Sequence, residues 1–253
     1  MIGLPHLVAS TLPIGEHWWI IGKSGSLWNI HADTIVMTLA SAAILLALGL
    51  YIRTNVTSGP PSRIQNGVEA VMEFIDGIIQ DNLGRDPGAI AGIALTLFFF
   101  IFIMNVIGLL PIPYFHSPTA DVSTTFGLAI LVFVLMHVRY IQTSGLGAYK
   151  GHYWTSGFKA IALNPVSVLL TVVTELSRPL TLSFRLFGNI LAGEILLVVA
   201  ASLLPLEFAI VANVIINPFI LAFGLFVGTI QAFIFTVLTV AYMAIASEPA
   251  GSH

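Results

Sequence analysis

Cysteine is absent from this 253-residue sequence, and charge is scarce: Asp, Glu, Lys and Arg make up only 8% of it. Without thiols there are no disulfides and no thiolate metal sites, and the redox compartment leaves no trace. An average soluble chain carries roughly 25% charged residues, so this one has too little polar surface to cover a water-facing exterior. The formal net charge of −3 argues against nucleic acid as a partner, because that recognition usually shows a basic face. The seven histidines fall in no HExxH or similar ligand spacing, so neither a metal nor any other cofactor is expected. The N-terminus shows no basic stretch ahead of an apolar run, so no cleaved signal peptide is expected. Internal repeats and low-complexity tracts are also missing. What remains is apolar: 57% of the residues are hydrophobic, and the solvent for most of them is lipid.

A membrane-crossing helix needs about 20 mostly apolar residues. Residues 34–52, 89–113 and 122–141 each supply such a run, free of Asp, Glu, Lys and Arg except for Arg139 near the end of the third. Residues 1–33 read as an outer lead, with Trp18, Trp19 and Trp28 placed for a headgroup belt. The C-terminal third is longer. Residues 160–204 are apolar but hold Glu175, Arg178, Arg185 and Glu194, and residues 208–247 hold no charge at all. At 1.5 Å per residue each run would make a helix of about 60 Å, twice the hydrocarbon thickness. Each reads either as two helices or as one long helix, strongly tilted or bent, with Pro165, Pro179 and Pro218 as possible kinks. The turn between them is expected at Leu204-Pro205-Leu206-Glu207.

One crossing per long run gives about five crossings in an all-α integral membrane protein with a single membrane domain. Arg53, Arg63, Arg85, Arg139, Lys150 and Lys159 then fall on one side and Lys23 on the other. The positive-inside rule puts the N-terminus outside and the C-terminus in the cytoplasm. Between the first two crossings, residues 63–84 place Ile64, Val68, Val71, Met72, Ile75, Ile78, Ile79 and Leu83 at helical spacing, with Glu69, Glu73 and Asp76 largely opposite. This is the pattern of an amphipathic helix on the cytoplasmic surface. Its acidic polar face suits a protein partner better than anionic lipid.

An arginine inside a membrane helix costs at least about 2.5–3.5 kcal/mol on insertion scales, and it faces a bundle interior or a water path. Arg178 and Arg185 are seven residues apart, about 20° around a helix, so they share one stripe. Glu194 lies nine residues beyond Arg185, about 180° around, on the opposite face. The two charges therefore look into different polar surroundings. Gly188, Asn189 and Ala192 keep the Arg185 face small, which lets another helix approach. Ser183, Asn189, Thr181 and Gln231 have groups that can line a wet passage, although a lone hydroxyl more often satisfies local backbone. Arg178 precedes Pro179 and has the alternative of snorkelling to the interface.

The run Ser183-Phe184-Arg185-Leu186-Phe187-Gly188-Asn189-Ile190-Leu191-Ala192-Gly193-Glu194 resembles the signature of the subunit a family of rotary F-type ATP synthases. Ile230-Gln231-Ala232-Phe233-Ile234-Phe235-Thr236-Val237-Leu238-Thr239 resembles a second family stretch. Met104-Asn105-Val106-Ile107-Gly108-Leu109-Leu110-Pro111 and Pro118-Thr119-Ala120-Asp121-Val122-Ser123-Thr124-Thr125 resemble two more. The resemblance spans about residues 30 to 250 and implies a stator with two aqueous half-channels beside a ring of c subunits, held by peripheral-stalk b subunits. It gives Arg185 the place of the essential arginine, Gln231 that of the glutamine beside it, and Glu194 that of an ionisable half-channel residue. Asn189, Glu175, Asp121, Asn105 and, more weakly, Arg178 join the expected proton route. Gly224 stands where some relatives carry a histidine, as in the chloroplast and cyanobacterial pattern, and Thr171 stands where some carry glutamate. Neither a catalytic site of its own nor a nucleic-acid partner is implied. The expected home is a bacterial inner membrane, ahead of an organelle-encoded inner or thylakoid membrane. A secondary transporter or channel is the rival class, but it predicts paired repeats around a midplane site.

Overall fold

The computed structural model describes residues 20–21, 30–55, 63–83, 89–110, 117–155, 164–203 and 217–247. Among these, six α-helices carry the architecture: α1 (Ala32–Asn55), α2 (Arg63–Leu83), α3 (Ala89–Leu109), α4 (Val122–Thr155), α5 (Asn164–Leu203) and α6 (Asn217–Ser247). A short antiparallel pair, β1 (Ile20–Ile21) and β2 (Ile30–His31), leads into α1. A 3-10 turn, Pro118–Ala120, leads into α4. The all-helical membrane class follows from the absence of water in lipid: a spanning backbone must satisfy its own hydrogen bonds.

Among the described residues four helices are long and apolar enough to cross a membrane, over Ala32–Asn55, Ile90–Leu109, Val122–Gly147 and Pro218–Ser247. The remaining expected crossing corresponds to α5, whose 40 residues include the four charges. Outward faces are apolar, as a lipid solvent requires. On α1, Leu39, Leu46 and Leu50 are exposed, while Ala32, Asp33, Met37 and Ser41 are buried. Hydroxyls in the helices are mostly satisfied by the carbonyl four residues back, as for Ser41 on Met37, Thr96 on Gly92 and Thr239 on Phe235, which makes them compatible with an apolar setting.

Several boundaries differ from the sequence reading. The second crossing, expected to reach Pro113, ends as a helix at Leu109, and the Leu110 N–H donates to the Ile107 carbonyl at 3.2 Å. Pro111 explains the stop, since proline disfavours helical backbone in the residue before it. The third helix continues past residue 141 to Thr155, broken only at Gly145, where φ is 78° and ψ 162°. Apolarity had marked its membrane part, whereas the polar Gln142-Thr143-Ser144 extension is equally helical. Each long C-terminal run contains one continuous helix. Pro179 lies inside α5 without ending it. Pro165 and Pro218 occupy the second positions of α5 and α6, where a missing N–H is harmless, so they open helices and do not kink them. In α2, Ile75 and Ile79 are buried while Glu69, Glu73 and Asp76 are exposed, but Met72 of the expected apolar set is exposed as well. The tryptophan belt at residues 18, 19 and 28, the turn at 204–207 and the side chain of Glu194 lie outside the described residues.

The chain gathers into two compact units. One comprises Met1–Thr54, Phe99–Thr125 and Arg185–Phe233; the other comprises Asn55–Phe98, Phe126–Phe184 and Ile234–His253. In the first, Met37, Ile103 and Ile107 form a buried apolar cluster against which Leu45 packs. In the second, the rings of Phe126 and Phe184 meet edge to face at 5.4 Å, and Arg139 Nε donates to Ser247 Oγ at 3.2 Å.

Candidate functional site

Arg185 lies on α5, and its surroundings follow from helical phase. Leu182 and Leu186 are buried four residues apart, and Ser183 is buried beside them. Thr181, Phe184, Arg185, Asn189 and Ala192 are exposed, and Gly188 is partly so. The arginine therefore projects from a face of small and polar groups next to a leucine-packed one. Among the described residues Arg185 forms no ion pair. Thr181, a candidate for a wet passage, instead bonds the carbonyls of Ser177 and Arg178 at 2.8 and 3.0 Å.

In the same unit Asn189 Nδ2 donates to Gln231 Oε1 at 2.6 Å, joining α5 to α6. Gln231 is 1% exposed, and its Nε2 has no hydrogen-bond partner among the described residues. One helical turn earlier, the Gly228 carbonyl accepts from Asn105 Nδ2 at 3.0 Å. Asn105 Oδ1 accepts from Thr119 Oγ1 at 2.8 Å, Thr119 and Ser117 share a hydrogen bond at 2.6 Å, and Ser117 Oγ donates to the Met104 carbonyl at 3.4 Å. This buried chain of uncharged groups fixes α6 against α3. It places Asn105 where its amide is used on both sides. Sequence reasoning found Asn105, Asn189 and Gln231 but missed Ser117, whose only signal was a hydroxyl next to the Pro118 turn.

Asp121 precedes α4, and its carboxylate is well supplied with donors. Its Oδ1 accepts from the Ser123 backbone N–H at 2.8 Å, its Oδ2 accepts from Thr34 Oγ1 at 3.1 Å, and His31 Nδ1 lies 2.7 Å from Oδ2. Burial alone would favour the neutral acid, but the hydrogen bonds from His31 and Ser123, with the charge of His31, outweigh it and hold the carboxyl below its usual value. These bonds tie the start of α1 to the start of α4, so both helices begin at the same end of the unit. The His31 and Thr34 contributions went unseen in the sequence because they come from residues 90 and 87 positions away.

In the second unit Glu175 and Arg178 hold one another. Arg178 Nη1 lies 3.0 Å from Glu175 Oε1 and 3.1 Å from Oε2. The Arg178 guanidinium carbon stands 5.3 Å from the centroid of the Tyr242 ring, and Nη1 is 3.4 Å from the Met136 sulfur. Arg178 is thus part-buried and held by side chains from its own helix and from α4 and α6. Of the expected proton-route residues, Arg185, Asn189, Gln231, Asn105 and Asp121 belong to the first unit and Glu175 with Arg178 to the second. Among the described residues no group of His, Asp or Glu could hold a metal ion.

Against known proteins, residues 34–244 match the family model described as ATP synthase A chain. The chain is 36% identical over 253 residues to the ATP synthase subunit a of Mannheimia succiniciproducens, covering 94% of this chain and 96% of that one. It is 38% identical over 251 residues to that of Histophilus somni, covering 92% and 94%, and 35% identical over 253 residues to that of Haemophilus influenzae, covering 94% and 96%. A family match over most of the length, relatives at this identity, and helices of membrane-crossing length lead to one conclusion: this chain belongs to the subunit a family of the ATP synthase membrane sector.

Proposed function

We propose that the chain is the stator of the proton path, presenting Arg185 to a rotating ring of c subunits between two aqueous half-channels. The projecting Arg185 carries this reading. A guanidinium stays charged at any working pH, even where a lysine would neutralise. An exposed one on a membrane helix calls for an anionic or aqueous partner. At about 4 Å and an effective dielectric of 20 it attracts a carboxylate by roughly 4 kcal/mol. That favours the deprotonated ring site as it passes and opposes its carrying a proton directly from one channel to the other. A transmembrane potential supplies about 2.3 kcal/mol per charge per 100 mV, so a much stronger attraction would stall the ring. Arg185 acts as an electrostatic gate and not as a general acid.

Asn189 and Gln231 stand beside the gate as neutral hydrogen-bonding groups. Glu194 is assigned to a half-channel, and Asn105 and Asp121 to the outer approach, on the side where α1 and α4 begin under the positive-inside orientation. Glu175 and Arg178 hold one another and are left out of this route. The acidic face of α2 suits a peripheral-stalk partner on the cytoplasmic side. The deciding experiment is Arg185→Ala in a purified complex reconstituted into liposomes. Assembly is expected to persist while ATP synthesis and ATP-driven pumping are lost; coupled synthesis at the normal rate would refute the reading.

A further inference from the structure

Two arginines seven residues apart on one helix pose a selection problem for any stator that must present a single cation. By helical spacing they differ by about 20° around the axis and roughly 10.5 Å along it. A second free guanidinium there would give each passing carboxylate another place to stop. The side chains next to Arg178 show that the outer face is within reach: Ser177, Leu180 and Thr181 are all exposed. Yet Arg178 is folded inward, with Nη1 on both oxygens of Glu175, Met136 beside it and the Tyr242 ring near its guanidinium. Glu175 itself is 7% exposed. These contacts come from α4, α5 and α6 within one unit, so the arginine is held from three helices.

We propose that Glu175 and Tyr242 are selector residues that keep Arg178 inside the bundle, so that Arg185 alone meets the ring carboxylates. This rests on the ring-facing role proposed for Arg185. The glutamate cancels the charge of Arg178 where a carboxylate is cheapest to supply, one helical turn away. The tyrosine ring covers one side of the guanidinium, a contact that strengthens when water is excluded. Glu175 is a positioning residue in this scheme: it acts through Arg178 and does not itself carry the transported proton.

The pair makes an unusual genetic prediction, since the second substitution should repair the first. Complexes carrying Glu175→Gln, Arg178→Gln and both together would be purified, quantified by the ring that co-purifies, and assayed for ATP-driven proton pumping per assembled complex. Glu175→Gln, which releases Arg178 with its charge, should slow turnover about tenfold, equivalent to roughly 1.4 kcal/mol and within the usual coupling of contacting residues. Arg178→Gln alone and the double variant should both stay within about threefold of the parent, a coupling of the same class. If Glu175→Gln does not assemble, Tyr242→Leu asks the same question, with slowing of about fivefold that Arg178→Gln brings back to within about twofold of the parent. A double variant as slow as Glu175→Gln would overturn the proposal, as would an Arg178→Gln complex that fails to pump. Arg185→Ala measured alongside separates the two readings: if it still pumps, the gate assignment is wrong whatever the pair does.

Discussion

Asp121 shows how much of a single residue's behaviour depends on partners that sequence does not name. Its carboxylate is held ionised by His31 and by the Ser123 backbone N–H, with Thr34 bonded to the same group. Its pKa in the folded chain therefore lies below that in the unfolded one, about 3.9 for an ordinary aspartate. The stability it contributes is complete above that value and is lost as pH falls through the lower, folded one. Acid unfolding of the purified complex, followed from about pH 5 down to about pH 2, should show this loss below about pH 4, and Asp121→Asn should flatten the response. An unchanged acid profile in Asp121→Asn would mean the hydrogen bonds carry no net stability. Arg185 was legible from sequence because a charge in an apolar run has few explanations. The spacing of Glu175 and Arg178 was also visible. Their partners Tyr242 and Met136 were not, because an ordinary apolar or aromatic residue on another helix carries no mark of what it will touch.

Among elements, hydrophobic runs located the membrane segments, while proline and glycine placed their ends. Pro111 ends α3, and Pro165 and Pro218 open α5 and α6. Gly145 breaks α4 with a positive φ that other residues rarely adopt. Reading Pro165 and Pro218 as kinks failed because proline is tolerated in a first helical turn. Close packing of α3 gives a sharper test. A Cβ placed on Gly108 would stand 2.7 Å from Ser117 Cα and 2.8 Å from Ser117 N, both backbone atoms that cannot move aside alone. One on Gly224 would meet Leu109 Cδ2 at 2.6 Å, the free end of a flexible side chain. Gly108→Ala is therefore expected to destabilise by about 1–3 kcal/mol, the range for overpacking, while Gly224→Ala costs less. Thermal unfolding of the two complexes in detergent checks the order. Equal midpoints would show that the Ser117 turn yields freely.

For the whole molecule, composition alone identified the solvent, and four sequence stretches pointed to the family that the comparisons establish. The pairing of polar groups across helices could not be read in the same way, because it depends on helix rotation, and one residue of error turns a side chain by about 100°. Helix length was easier to read than helix partnership, and it has a physiological consequence. The 40 residues of α5 and the 31 of α6 correspond to about 60 and 46 Å of helix, against roughly 30 Å of hydrocarbon. A surplus is accommodated by tilting, kinking or local thickening of the bilayer, and each answers to local thickness at a cost of fractions of a kcal/mol per Å. Acyl-chain length thus becomes a control variable for the ring contact proposed for Arg185. Reconstituted into a series of lipids of increasing chain length, the complex should show a turnover optimum, falling on both sides. A cell that remodels its lipids with growth temperature would then be retuning the coupling machinery each time, without altering a single residue of the protein.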